Sequence, residues 1–174
     1  MKRLSFYILF LFAFCTSCTF VDNRIANFHY NIGKSRYASK DLIGAIEAYS
    51  KAIDINDNHS KSFISRGSAY LDLKEYAKAI DNYSKGIEIE PHNPLIYTYR
   101  GRAYYDDDNI EKALADYNTA LQMDNELTLA YIYRGLLKYT NKDLVGGCQD
   151  YKKAAELGDT GSAEVLKKYC REFL

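Results

Sequence analysis

Gly33, Gly67, Gly101 and Gly135 stand 34 residues apart, and three further sets of positions keep the same step. They are Ala45, Ala79, Ala113 and Gly147; Tyr49, Tyr83, Tyr117 and Tyr151; and Ala52, Gly86, Ala120 and Ala154. Four position families held in one register over four units constrain the fold more than any other feature of this chain. A step of 34 far exceeds the period of a helix or a strand, so the repeated object is a supersecondary unit. Each unit holds two stretches of helical patterning joined by a short polar turn, as over 60–72 and 75–89. In the second stretch Ala79, Ile80, Tyr83 and Ile87 fall at the three- and four-residue spacings of one helix face. The small residues let the paired helices approach, and Tyr83 and its equivalents fill the space beside them. One such hairpin cannot bury both of its apolar faces, so neighbours must stack into a quasi-one-dimensional array.

A period of 34 with small, aromatic and small residues at these offsets resembles the tetratricopeptide repeat, a helix-turn-helix unit. In that register the repeats run 26–59, 60–93, 94–127 and 128–161. Pro91 stands where the family often ends a repeat with proline, and Asp57, Asn125 and Asp159 take the equivalent places. His29, Phe63, Tyr97 and Tyr131 replace the signature tryptophan. The resemblance implies an all-α fold, a right-handed superhelical solenoid of four repeats. Residues 162–174, "SAEVLKKYCREFL", read as a helix capping the last repeat. Ala163, Leu166, Tyr169 and Cys170 lie on one side of it, and Lys167, Lys168 and Arg171 on another.

The first twenty residues, "MKRLSFYILFLFAFCTSCTF", have a different composition. Lys2 and Arg3 form a positive start, Leu4 to Phe14 is apolar but for Ser5, and small polar residues lead to Cys18. This is the layout of a signal peptide. Cys15-Thr16-Ser17-Cys18 resembles the bacterial lipoprotein signal, which implies cleavage after residue 17 and lipidation of Cys18. It departs from that family in having Cys15 where an aliphatic residue is usual. An ordinary signal peptide cut elsewhere and an uncleaved anchor are the other readings, though the apolar run is shorter than the roughly 20 residues that span a bilayer. Residues 18–25 then form a tether to the repeats. Cleavage before Cys18 leaves 21 bases against 23 acids, a net charge of −2.

Lys+Arg and Asp+Glu balance at 23 each, which argues against a broad basic surface for nucleic acid. "YDDDN" at 105–109 lacks the alternating acids, glycine and distant glutamate of a calcium loop, and reads as a turn with a cap for the next helix. His29, His59 and His92 fall in different repeats without neighbouring ligands, so no metal site is expected. No nucleophile–base pair and no phosphate-cradling loop stands out, so neither enzymatic activity nor a cofactor is expected. Cys148 lies ten residues before the Gly158–Gly161 turn and Cys170 nine after it. At about 1.5 Å per residue an antiparallel pair brings them to similar heights. Export would permit a disulfide between them; two buried free thiols are the alternative.

What remains is a surface. In the resembled family the first helices of successive repeats line a groove that holds a protein or peptide segment. That implies a binding face here of Lys34, Tyr37, Lys61, Tyr99, Arg102, Tyr105, Tyr133 and Tyr139, with Ser65 and Ser68 beside them. Tyrosine and arginine suit such a face, and some of the tyrosines fill space between helices instead. One subgroup of the family grips chaperone C-termini with Lys and Asn on the first helix. Tyr30 and Lys34 occupy those places, so that ligand is not expected. A protein-interaction module in a bacterial cell envelope, anchored by lipid, follows from these readings. A permanent subunit of an envelope complex is the alternative.

The Arg-Gly pair recurs with the period, in "SRGSAY", "YRGRAY" and "YRGLLK". Sixteen residues after Arg100 stands Asp116, and sixteen after Arg134 stands Asp150. After Arg66 the place holds Asn82, beside Asp81. The first repeat has Ile32 and Ala48 at these positions, so both polar groups are absent together. Internal ion pairs Arg100–Asp116 and Arg134–Asp150 are expected, with Arg66 held by Asn82 or Asp81. Arginines reaching a ligand in the groove are the alternative.

Overall fold

The computed structural model describes residues 21–173, and every element among them is an α-helix. The chain divides into two compact units, the first ending at Leu73 and the second beginning at Lys74. The boundary falls in the turn between the two helices of the 60–93 repeat.

The first unit contains α1 (21–38), α2 (Leu42–Ile55) and α3 (Ser60–Asp72). Its core is built from α2, where Ala45, Ala48, Tyr49 and Ala52 are buried, and from Ala26, Phe63 and Ala69. The close approach of α1 and α2 needs Gly33, because a Cβ there would collide with the edge of the Tyr49 ring. Residues 21–25, read above as part of a tether, are helical and continuous with the first repeat. No proline or glycine interrupts 21–32, so nothing stops α1 from starting before residue 26. The lipoprotein-like residues 1–20 lie outside the described part.

The second unit contains α4 (Tyr76–Ile89), α5 (Pro94–Asp106), α6 (Ile110–Met123), α7 (Thr128–Thr140), α8 (Leu144–Glu156) and α9 (Thr160–Tyr169). Consecutive helices pack on one another throughout α4 to α9. Tyr83 and Tyr117 are fully buried, each beside an alanine that precedes it by one turn, Ala79 and Ala113. Gly147 takes the alanine's place in the last repeat. A Cβ on it would stand 2.9 Å from the Gly135 carbonyl and 2.9 Å from the Tyr139 backbone nitrogen, so α7 and α8 approach too closely for alanine.

The turns repeat with the period as well. Lys40, Lys74, Asp108 and Lys142 all take positive φ, between 59° and 70°. At 108, for example, the Asp108 amide donates to Tyr105 O and the Asn109 amide to Tyr104 O, at 3.1 and 2.8 Å. This double closure consumes the last carbonyls of the first helix. In three of the four the next residue caps the second helix with its side chain: Asp41 accepts from the Gly44 amide, Asn109 from Lys112 and Asp143 from Gly146. "YDDDN" is therefore the end of one helix and the start of the next.

The terminal helix is shorter and rotated relative to the expectation. It starts at Thr160, and Asp159 caps it through the Ser162 amide at 2.6 Å. Its buried groups are Ser162 and, just past its end, Cys170, while Ala163 and Tyr169 face solvent. The disulfide described below fixes that phase.

Candidate partner-binding surface

Two layers of side chains build this surface, and the deeper one holds the helices together. In the second unit Arg100 on α5 donates from Nε and Nη2 to both oxygens of Asp116 on α6, at 2.8 and 2.9 Å. Its Nη1 donates to Ser84 Oγ on α4 at 3.1 Å. Arg134 on α7 repeats the arrangement, reaching Asp150 on α8 at 2.9 and 2.6 Å and Asn118 Oδ1 on α6 at 2.7 Å. Each guanidinium thus forks onto the carboxylate sixteen residues ahead and reaches back to an acceptor sixteen behind. A planar fork suits this, since it gives two parallel bonds to one carboxylate and a third to another helix. The hydrogen bonding it donates to Asp116 is the foremost reason that the Arg100 guanidinium is held above its ordinary pKa. Lys138 Nζ joins Asp150 at 2.8 Å.

In the first unit Arg66 on α3 donates to Ser50 Oγ on α2 at 2.9 Å, again sixteen residues back. Aromatic rings flank the ladder: Arg66 lies 5.6 Å from the Phe63 ring, Arg100 5.7 Å from Tyr97 and Arg134 5.5 Å from Tyr131. Three of the four residues replacing the signature tryptophan, Phe63, Tyr97 and Tyr131, are thus the rings on which the arginines rest. With three donor groups engaged apiece, Arg100 and Arg134 serve the helices rather than a groove ligand. The backward acceptors Ser50, Ser84 and Asn118 were not anticipated, although their 34-residue step marks them in the sequence.

The outer layer consists of first-helix side chains. In the first unit Tyr30, Lys34, Tyr37, Ala38, Tyr49, Ser65 and Ser68 line a cleft of about 360 Å³. Lys34 is exposed, its Nζ 5.8 Å from the Tyr30 ring. Tyr37 donates to Asp72 Oδ2 at 2.6 Å. Burial, and then that carboxylate, pushes its phenol above the ordinary pKa, so it stays a neutral donor. Lys61 is exposed on α3 but does not line the cleft.

In the second unit the tyrosines sit on the buried ones: Tyr99 packs on Tyr83 at 5.9 Å and Tyr133 on Tyr117 at 6.2 Å between ring centres. Arg102 donates to Asp106 at 2.9 Å and lies 5.2 Å from the Tyr133 ring. The Tyr105 hydroxyl meets Thr140 Oγ1 at 3.2 Å, and Tyr139 packs beside Gly147. All five expected residues of this unit are half-buried, so each combines a packing contact with an open edge.

Cys148 in α8 and Cys170 at the end of α9 are joined by a disulfide, with Cα atoms 5.6 Å apart. Among the described residues no three His, Cys, Asp or Glu side chains gather as a metal site would require. No helix of the described part is long and apolar enough to cross a membrane.

A tetratricopeptide repeat model matches residues 26–59 and 96–127, and a second TPR repeat model matches 67–108, together more than half of the sequence. The chain belongs to the tetratricopeptide repeat proteins, whose fold is a protein-interaction scaffold. Solved structures agree on the fold. MamA (residues 41 to the end) from Desulfovibrio magneticus RS-1 is 21% identical, with a TM-score of 0.69 over 76% of this chain and 75% of that one. The Sgt2 TPR domain from Aspergillus fumigatus is 31% identical, with a TM-score of 0.60 over 65% of this chain and 78% of that one. The first TPR of Spaghetti (RPAP3), bound to the HSP90 peptide SRMEEVD, is 28% identical, with a TM-score of 0.60 over 65% of this chain and 91% of that one. No curated protein matches the sequence.

Proposed function

We propose that this protein is a non-enzymatic interaction module of a bacterial cell envelope, exported, lipidated at Cys18, and binding a partner's peptide segment on its first-helix face. The observation that carries the reading is the contrast between layers. Tyr49, Tyr83, Tyr117 and Tyr151 of the second helices are buried, whereas Tyr37, Tyr99, Tyr105, Tyr133 and Tyr139 of the first helices keep open edges. The peptide held by the Spaghetti repeat supports a peptide as the kind of partner. Tyr30, in place of that subgroup's lysine, argues for a ligand other than a chaperone tail. The disulfide supports an oxidising compartment, because such bonds persist outside the cytosol.

The test is peptide display against the immobilised mature domain, with titration of the enriched sequences. A common motif should emerge whose affinity falls about tenfold or more in Tyr99→Ala/Tyr133→Ala, the loss of two aromatic hot-spot contacts. Circular dichroism would verify that the variant is folded. Enrichment of no motif, or a motif indifferent to the first-helix changes, would overturn the groove reading. Lipidation is read separately, by the mass of the mature N-terminal peptide and its loss in Cys18→Ser.

A further inference from the structure

The N-terminal end of α1 carries an apolar face that the described residues leave open. Val21, Ile25 and Phe28 are 49%, 43% and 62% exposed, and with Arg24 they enclose a shallow depression. Spacings of four and three residues place the apolar three on one side of the helix.

The other repeats show what this register normally meets. Ser62, Ile96 and Ala130 stand one, two and three periods after Phe28, and all are fully buried. Ala130 is packed with Ala120 and Leu121 of α6, the second helix of the preceding repeat. The first repeat has the larger Phe28 at this register, and Ile32 where later repeats have the arginine that latches onto a preceding helix. It therefore keeps an apolar surface but lacks the polar latch to another repeat.

We propose that this face rests in the surface of the lipid bilayer, with Val21, Ile25 and Phe28 at the boundary of headgroups and acyl chains and Arg24 among the phosphates. The inference rests on lipid attachment at Cys18, given above. Only Thr19 and Phe20 separate that cysteine from Val21, and three residues of chain reach at most about 10 Å. A bilayer needs no shape complementarity and accepts a protruding phenylalanine. Three side chains fall well short of the roughly 800 Å² per partner that a specific protein interface buries, which disfavours a second copy. Weak anchoring by acyl chain alone is the situation in which a second, amphipathic signal matters.

The chain has no tryptophan, so Phe28→Trp introduces a unique fluorophore. The mature Phe28→Trp chain would be coupled through Cys18 to a maleimide phospholipid, in vesicles of phosphatidylethanolamine and phosphatidylglycerol carrying acyl-brominated lipid. Emission should shift to the blue and lose its larger part to bromine quenching. Ile43→Trp, at the start of α2, should not be quenched, and Val21→Asn/Ile25→Asn should abolish the effect at residue 28. Unchanged emission on tethering would overturn the proposal, as would an untethered dimer that shields the fluorophore from acrylamide. Because the lipid is supplied chemically, failure of docking is separable from failure of anchoring. Quenching in vesicles with Cys18 found unmodified in cells would overturn the anchor, and this proposal with it.

Discussion

Asp116 takes two hydrogen bonds from a single guanidinium while its side chain is only 8% exposed. Removing it leaves Arg100, itself 21% exposed, with its charge uncompensated. Asp116→Ala is expected to cost about 3 kcal/mol, the usual penalty for breaking a largely buried pair. Urea unfolding would read this, and an unchanged midpoint would remove the pair from any account of stability. The pair was legible in the sequence because the first repeat lacks both members. The backward acceptors Ser50, Ser84 and Asn118 were harder to see, since only their 34-residue step marks them and a polar residue on a helix is otherwise read as a solvated one.

His59 gives a second residue-scale prediction. It is buried, meets Ser62 Oγ at 2.7 Å and Asn27 Oδ1 at 3.3 Å, and a neutral ring can serve both as acceptor and as donor. Burial first, and then the charge of Lys61, lowers its pKa from 6.5. The unfolded chain therefore binds the proton more readily than the folded one. This contribution is present above about pH 6.5 and declines as the pH falls through that value toward the folded pKa. His59→Gln should flatten the slope of stability below about pH 6.5, as measured by thermal melts. Equal slopes in both proteins would refute it.

At the scale of elements α9 stands apart. It is ten residues long and fully buries one of its own side chains, Ser162, with Val165 and Leu166 half-buried, so the bond from Cys170 to Cys148 adds substantially to its packing on α8. The sequence separation is 22 residues, and closing a loop of that size is worth about 3 kcal/mol in the chain-entropy model. Cys170→Ser is expected to lose about that much, and reductant should reproduce the loss in the parent protein. Hydrogen exchange over 160–169 would rise in both cases. Protection unaffected by reductant would show that the cap holds without its covalent tie. The apolar residues of α9 do not define its buried side, since Ala163 and Tyr169 are exposed while Ser162 and Cys170 are buried. The turns were opaque for a different reason: Lys40, Lys74 and Lys142 hold a left-handed conformation that lysine does not advertise.

Over the whole molecule the period determined nearly everything that could be read in advance. It located the helix pairs, the close-contact glycines and the buried tyrosines, because those positions obey packing rules that every repeat must satisfy. The open face obeys no such rule. Tyr37 and Tyr105 are engaged by Asp72 and Thr140, each 35 residues away, and Lys61 lies outside the cleft. Residue type alone could not separate those contacts from free edges.

The arginine ladder has an evolutionary corollary. Its offsets of sixteen forward and sixteen back fit together because the unit length is 34. Duplicating residues 94–127 in place would supply the copied arginine with Asn118 behind it and a new aspartate ahead. Arg134 would then find the copied asparagine at the same distance. An insertion within an Arg–Asp span whose length is not a multiple of 34 would strand a guanidinium among the helices. The chain can thus be lengthened by whole-unit duplication without redesign, while the same bonds weed out recombination in the wrong frame.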